Sequence, residues 1–134
     1  MRIISGKHKG KILSAPKKLP VRPTTDMAKE ALFNILENRY FLDNKKVLDL
    51  FSGTGNIAFE FASRGCEDIT AIDQNFHCTK FISKMAEELN CKMDVRKMDC
   101  MDFLEKTKSD FDIIFADPPY NFEHYHNLKD NIFS

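Results

Sequence analysis

Asp117-Pro118-Pro119-Tyr120 is the stretch of this chain best suited to chemistry. Two successive prolines fix the backbone and remove two amide donors, so the carbonyls around them face little local competition. A planar exocyclic amine on a nucleobase is a poor nucleophile, because its lone pair is delocalised into the ring. Acceptors that pull on both of its N–H groups turn the lone pair toward an electrophile. The Asp117 carboxylate and the Pro118 carbonyl are two such acceptors, and Tyr120 supplies a flat face on which an extruded base can stack.

A second group of residues lies upstream. Asp49-Leu50-Phe51-Ser52-Gly53-Thr54-Gly55-Asn56-Ile57-Ala58 carries Gly53, Gly55 and Ala58 in the G-x-G-x-x-[GA] pattern, and Asp73 follows Gly53 by 20 positions. Glycines there let the backbone approach a ligand, and a carboxylate at that distance can accept hydrogen bonds from both hydroxyls of a ribose. Two cofactor classes fit. A dinucleotide would place its pyrophosphate on the helix N-terminus. S-Adenosylmethionine has no phosphate and carries an amino group that needs an anion, which Asp49 supplies. Asp99 is placed to meet the adenine amino group, and Phe51, Asn56 and Cys100 are counted with the same cofactor site. The competing roles are structural: Asp49 as a strand-end acceptor for local amides, and Asp99 as a helix cap.

These groups need a sheet to hold them. Lys46–Phe51, Ile69–Asp73, Met93–Met98 and Phe111–Ala116 read as strands. Helices over Asn56–Ser63, after Asn75, and over Cys100–Lys106 alternate with them. That alternation predicts an α/β fold with a parallel, Rossmann-like sheet and right-handed crossovers. Ahead of it, Arg2–Ser5 and Lys11–Leu13 flank Gly6-Lys7-His8-Lys9-Gly10 and predict a β-hairpin with a basic tip. Pro16, Pro20 and Pro23 interrupt the next stretch. Thr25 or Asp26 then caps a helix whose apolar face is expected to be Ala28, Ala31, Leu32, Ile35 and Leu36. Residues 1–40 are thus expected to form a hairpin-and-helix appendage, and residues 41–134 the cofactor-binding domain.

Composition narrows the class. At 134 residues, with 43% hydrophobic and 30% charged, the chain suits one globular domain rather than a disordered or fibrous segment. Its 20 basic and 20 acidic residues cancel overall but not locally. Residues 1–46 carry 11 basic and 4 acidic residues, a net of +7, and the remainder carries −7. A basic arm on an acidic body suits a polyanionic partner. Cys66, Cys78, Cys91 and Cys100 form no C-x-x-C pair and read as reduced thiols. His124-Tyr125-His126 lacks a cysteine or carboxylate at metal-site spacing, so no metal is expected. The absence of a long apolar run or secretory leader predicts a cytosolic protein.

Leu48–Gly55 followed by Asp-Pro-Pro-Tyr resembles the class I S-adenosylmethionine-dependent amino-methyltransferases. Arg2-Ile3-Ile4-Ser5-Gly6, Arg22-Pro23-Thr24, Ala31–Leu36 and Ala62-Ser63-Arg64-Gly65 narrow the resemblance to the RsmD family. It implies methylation of N2 of a guanine in 16S ribosomal RNA of the small subunit, with S-adenosyl-L-methionine as cofactor. It also implies that Lys7, His8, Lys9 and Lys11 grip RNA phosphates, while Arg22 and Thr24 lie on an arm over the substrate entrance. Asp117, Pro118 and Tyr120 would then be the catalytic residues. Ala58 departs from the family's usual glycine. Asn56 replaces a small residue and is expected to add a hydrogen bond near the methionine moiety. The family's sheet runs 3-2-1-4-5-7-6, and this chain supplies strands one to four, which would leave Phe111–Ala116 as an apolar edge and the chain as the front of a longer protein. The alternatives are a DNA adenine-N6 methyltransferase, a nicotinamide oxidoreductase, which has no use for Asp-Pro-Pro-Tyr, and a catalytically silent RNA-binding fragment.

Overall fold

The computed structural model describes residues 1–17, 19, 24–118 and 132. Tyr120, Arg22 and the His124-Tyr125-His126 segment lie outside these residues. Helix α1 (Asp26–Arg39) leads through a short 3-10 turn (Leu42–Asn44) into β1 (Lys46–Leu50). Then follow α2 (Asn56–Ser63), β2 (Asp68–Asp73), α3 (Phe76–Glu88), β3 (Asp94–Lys97), α4 (Cys100–Lys106) and β4 (Ile113–Ala116). The four strands form one parallel sheet, as the alternating pattern predicts, in the order β3-β2-β1-β4 that the family resemblance implies.

The central strands explain their own position. Val47 to Leu50 of β1 and Ile69 to Ile72 of β2 are buried on both faces, which is why they read as near-continuous apolar runs. Val47, Ile69 and Ala71 pack beneath α1 and α2 with Phe33, Ile57, Ala58 and Phe61. Leu48, Leu50 and Ile72 face the opposite side, against Cys100 and Phe103 of α4. All four residues of β4 are half-buried, and it lies at the sheet edge beside β1. β1 ends one residue earlier than the sequence suggests, because Phe51 turns the chain with φ 56°.

The hairpin forms with Ile3 N–H on Lys11 O at 2.9 Å and Gly10 N–H on Ile3 O at 2.8 Å. Ile12 is exposed, but one apolar residue on each side of the hairpin turns inward. Ile3 and Leu13 are buried with Phe59 of α2 and Ile82, Ala86 and Leu89 of α3. Gly6 sits at φ +89°, and a Cβ there would collide with the Ser63 carbonyl, so the tip fits against the end of α2 only as glycine.

Helix α1 corrects the expected face. Thr25 caps it through the Ala28 amide at 3.1 Å, but Ala28, Ala31 and Ile35 are exposed. The buried residues are Lys29 and Phe33, with Leu32 and Leu36 half-buried beside them. The helix is rotated from the hydrophobic reading because a lysine, not an alanine, goes inside.

Candidate functional site

The carboxyl ends of the four parallel strands bring together the aspartates singled out in the sequence. Asp49 is the penultimate residue of β1, Asp73 ends β2, Asp99 follows β3, and Asp117 follows β4. The register Leu50↔Ala116 sets Asp117 just past the exit of β1. Open α/β sheets bind their ligands at this edge. An edge with four aspartates favours a cationic ligand and repels a pyrophosphate.

The turn after β1 is held by backbone geometry. Phe51, Gly53 and Gly55 have φ of 56°, 57° and 79°, a region costly for a bulky residue such as Phe51. The Gly55 amide donates to Ser52 O at 2.8 Å, and Ser52 N–H donates to Ile72 O at 2.9 Å. Gly53 N–H donates to Asp73 Oδ2 at 2.9 Å, and Asn75 N–H to Asp73 Oδ1 at 2.8 Å. Asp73 therefore joins the glycine turn to the end of β2, a contact within the protein that the 20-residue spacing, read for a ribose, did not foresee. Gly55 has a packing role beyond ligand approach: a Cβ there would lie 2.8 Å from the Phe59 ring and 3.1 Å from Ile82.

Asp49 is the group most altered by its surroundings. It is 1% exposed, and its Oδ2 is buried with no hydrogen-bond partner among the described residues. Burial, reinforced by the charges of Asp73 and Asp117, pushes its carboxyl up to about 8 despite opposing contacts from Ser52 and the Ala58 backbone. An orphaned carboxylate oxygen of this kind is costly unless something binds it. An alkylammonium such as the amino group of a methionine moiety supplies both charge and donors, so the residues present fit S-adenosylmethionine.

Asp99 caps α4, accepting from Met101 N–H at 2.9 Å and Asp102 N–H at 3.2 Å, both through Oδ1. Cys100 is buried beneath it, and burial, with the Asp99 charge next, pushes its thiol up to about 11. All four cysteines are free thiols. Among the described residues no cluster of His, Cys, Asp and Glu could hold a metal ion, and no helix is long and apolar enough to cross a membrane.

Asn56 opens α2, but its side chain is engaged within the protein. Its Oδ1 accepts from Lys29 Nζ at 2.7 Å and its Nδ2 donates to Thr24 O at 3.3 Å. On the hairpin, Lys7, Lys9 and Lys11 are exposed while His8 is half-buried. The His8 ring lies 3.8 Å from Cys91 Sγ. Burial and the neighbouring charges of Lys7 and Lys11 lower its pKa, disfavouring the charged imidazole in the free protein.

Sequence reasoning missed the buried ionic cluster beneath this hairpin. Lys29 and Glu60 are both 0% exposed. Lys29 Nζ donates to Arg2 O and Asn56 Oδ1 and lies 3.2 Å from Glu60 Oε1. Glu60 accepts from Ile4 N–H at 2.9 Å, Ser5 N–H at 3.1 Å and Arg64 Nε at 2.8 Å. Burial alone would raise the Glu60 carboxyl, but the Ile4 amide, Arg64 and Lys29 outweigh it and hold it below the ordinary carboxylate range. Ser63 Oγ donates to Ser5 O at 2.6 Å and accepts from His8 N–H at 3.0 Å. The available signal was Glu60 itself, set between Phe59 and Phe61 in a helix whose residues from Ile57 to Ala62 are otherwise apolar.

Several known proteins are similar to this chain. An uncharacterized methylase of Rickettsia prowazekii is 39% identical over 101 residues, covering 71% of this chain and 43% of its own length. Ribosomal RNA small subunit methyltransferase D of Haemophilus influenzae is 32% identical over 127 residues, covering 91% of this chain and 65% of its own. The chain thus spans roughly two fifths to two thirds of the length of these relatives. The solved structure of a hypothetical protein from Thermus thermophilus superposes with a TM-score of 0.86 at 25% identity, over 99% of this chain and 77% of that one. The family model described as Conserved hypothetical protein 95 matches residues 1–133, and the chain belongs to that family, the RsmD family its motifs resemble.

Proposed function

We propose that this chain carries the cofactor half and part of the substrate cleft of an S-adenosylmethionine-dependent methyltransferase. Its substrate is the exocyclic N2 amine of a guanine in 16S ribosomal RNA of the small subunit, in the cytoplasm. The observation that carries the reading is Asp49. A buried carboxylate with an unpartnered oxygen, at the carboxyl end of the central strand and beside a left-handed glycine turn, calls for a cationic ligand. When bound, S-adenosylmethionine supplies a methyl group already activated on a sulfonium. Asp49 would take the amino group of its methionine end, Asp73 the ribose hydroxyls, and Asp99 the adenine edge.

The remaining work falls to the chain's own groups. Asp117 and the Pro118 carbonyl accept hydrogen bonds from the guanine amine and turn its lone pair toward the methyl group. Tyr120 stacks on the base. Lys7, Lys9 and Lys11 hold backbone phosphates, and Arg22 and Thr24 border the entrance. The relatives' names, which specify methylation and the small-subunit ribosomal RNA, support the same reading.

Incubation with labelled S-adenosylmethionine and small ribosomal subunits lacking the modification tests it. Label should appear on a guanine amine. The Asp117→Ala variant should lose on the order of 100-fold in rate with cofactor affinity nearly unchanged, the scale of one lost transition-state hydrogen bond. Label on adenine of DNA, or no binding of the cofactor, would defeat the proposal.

A further inference from the structure

The buried cluster joins two parts of the molecule with different proposed tasks. From Lys29, one bond runs to Arg2 O at the base of the hairpin and one to Asn56 Oδ1, the first residue of α2 after Gly55. The third contact reaches Glu60, which holds the Ile4 and Ser5 amides. An ammonium has three donors, and all three are directed to acceptors, one on the hairpin and two on α2. Asn56 passes the connection on to Thr24 O in the arm. A separate contact repeats the link: Thr54 Oγ1 in the glycine turn lies 3.2 Å from Met1 Sδ, and the Met1 amino group donates to Leu13 O on the second hairpin strand at 3.2 Å. No apolar contact fixes these segments with comparable directionality, and a buried charge leaves little tolerance for partial pairing.

We propose that Lys29 is a positioning residue, locking the basic hairpin and the glycine turn into one cooperative unit so that the RNA-gripping tip is held in fixed register with the cofactor end of the sheet. This rests on the reading of the two parts given above, but the linkage itself is a property of the free protein. The amides of Ile4, Ser5, Lys7 and His8 report on the hairpin, since each is hydrogen-bonded to Glu60 or Ser63. The Gly53 and Gly55 amides report on the turn.

Hydrogen exchange on the full chain, without ligands, decides the matter. In Lys29→Met, both sets should exchange faster by about tenfold or more, the scale of one lost hydrogen bond to a charged group. The amides of β1 and β2 should stay as slow as in the unaltered protein. A role confined to the hairpin would speed Ile4, Ser5, Lys7 and His8 and leave Gly53 and Gly55 unchanged, and that outcome overturns the proposal. Should Lys29→Met fail to fold, Asn56→Ala cuts the bridge to the turn while leaving the Lys29–Glu60 pair in place. It should speed exchange at Gly53 and Gly55, and unchanged exchange there likewise overturns the proposal. Adding S-adenosylmethionine to the same samples examines the cofactor reading separately: failure to protect Gly53 or Gly55 in the unaltered protein counts against that reading alone, because the ligand-free rates have already answered for Lys29.

Discussion

Glu60 and Asp49 are both buried carboxylates, at 0% and 1% exposure, yet their surroundings are opposite. Glu60 faces two backbone amides, an ammonium and a guanidinium, and its pKa is lowered. Asp49 has an unpartnered oxygen and two like charges near it, and its carboxyl is raised to about 8. The difference separates architecture from binding. A saturated buried charge holds segments of the chain together, and a ligand could reach it only by displacing those partners. A buried carboxyl left unsaturated costs stability in the free protein, where it keeps a proton that the unfolded chain releases, and regains it when a complementary ligand arrives.

The comparison breaks most visibly at Glu60. Glu60→Ala strips Lys29 of its anion, leaves Arg64 with only the exposed Glu37, and orphans two amides. Loss of one partner from a buried pair costs on the order of 3–5 kcal/mol, which urea unfolding should register. Glu60→Gln should cost less, since its carbonyl can still accept from one amide. The pH sign also follows. The folded value lies below the unfolded value of 4.5, so this stabilisation is complete above 4.5 and disappears as pH falls through the folded value.

Asp49 should behave in reverse. Its folded value of about 8 lies above the unfolded 3.8, so the native state holds a proton that the unfolded chain has released. Stability from this group therefore falls as pH climbs from about 4 to 8, then levels. Asp49→Asn removes that slope, and the variant's stability relative to the parent should grow across the same interval. Its affinity for S-adenosylmethionine should fall by about 10- to 100-fold, the range for hydrogen bonds to a charged group. A variant that is destabilised at pH 8 and binds the cofactor normally would make Asp49 a second Glu60.

The sequence carried the sheet well because parallel strands buried on both faces are mostly apolar, as β1 and β2 are apart from Asp49 and Thr70. It carried the placing of Gly53 and Asp73 at neighbouring strand ends because strand, turn and helix lengths set that spacing, though not the hydrogen bond between them. It could not carry the orientation of α1. Periodicity treats lysine as a surface residue, whereas Lys29 is buried by a carboxylate on another helix, so a three-dimensional contact overrode the local pattern. The same limit hid the difference between Asp49 and Glu60, since burial and partner count belong to the folded molecule. His8 illustrates it again: a histidine among lysines reads as a phosphate ligand, but packing turns its ring toward Cys91.

That contrast within the hairpin yields the smallest expected effect. Lys7, Lys9 and Lys11 are exposed and carry their charge into solvent, whereas His8 is half-buried with its pKa lowered by burial, Lys7 and Lys11. Each phosphate neutralised by a lysine releases counterions, so removing one such lysine should reduce the slope of log affinity against log salt by about 0.7 for single-stranded RNA. Replacing the three lysines with alanine should therefore flatten the slope by about 2 units if all three touch phosphate. His8→Ala should leave the slope at pH 7 unchanged, because a neutral ring releases no counterion. Filter binding to small-subunit RNA at several salt concentrations measures both. A slope that shifts equally for the histidine and for any one lysine would show that His8 is protonated and engaged with the backbone, and that its packing against Cys91 gives way when RNA binds.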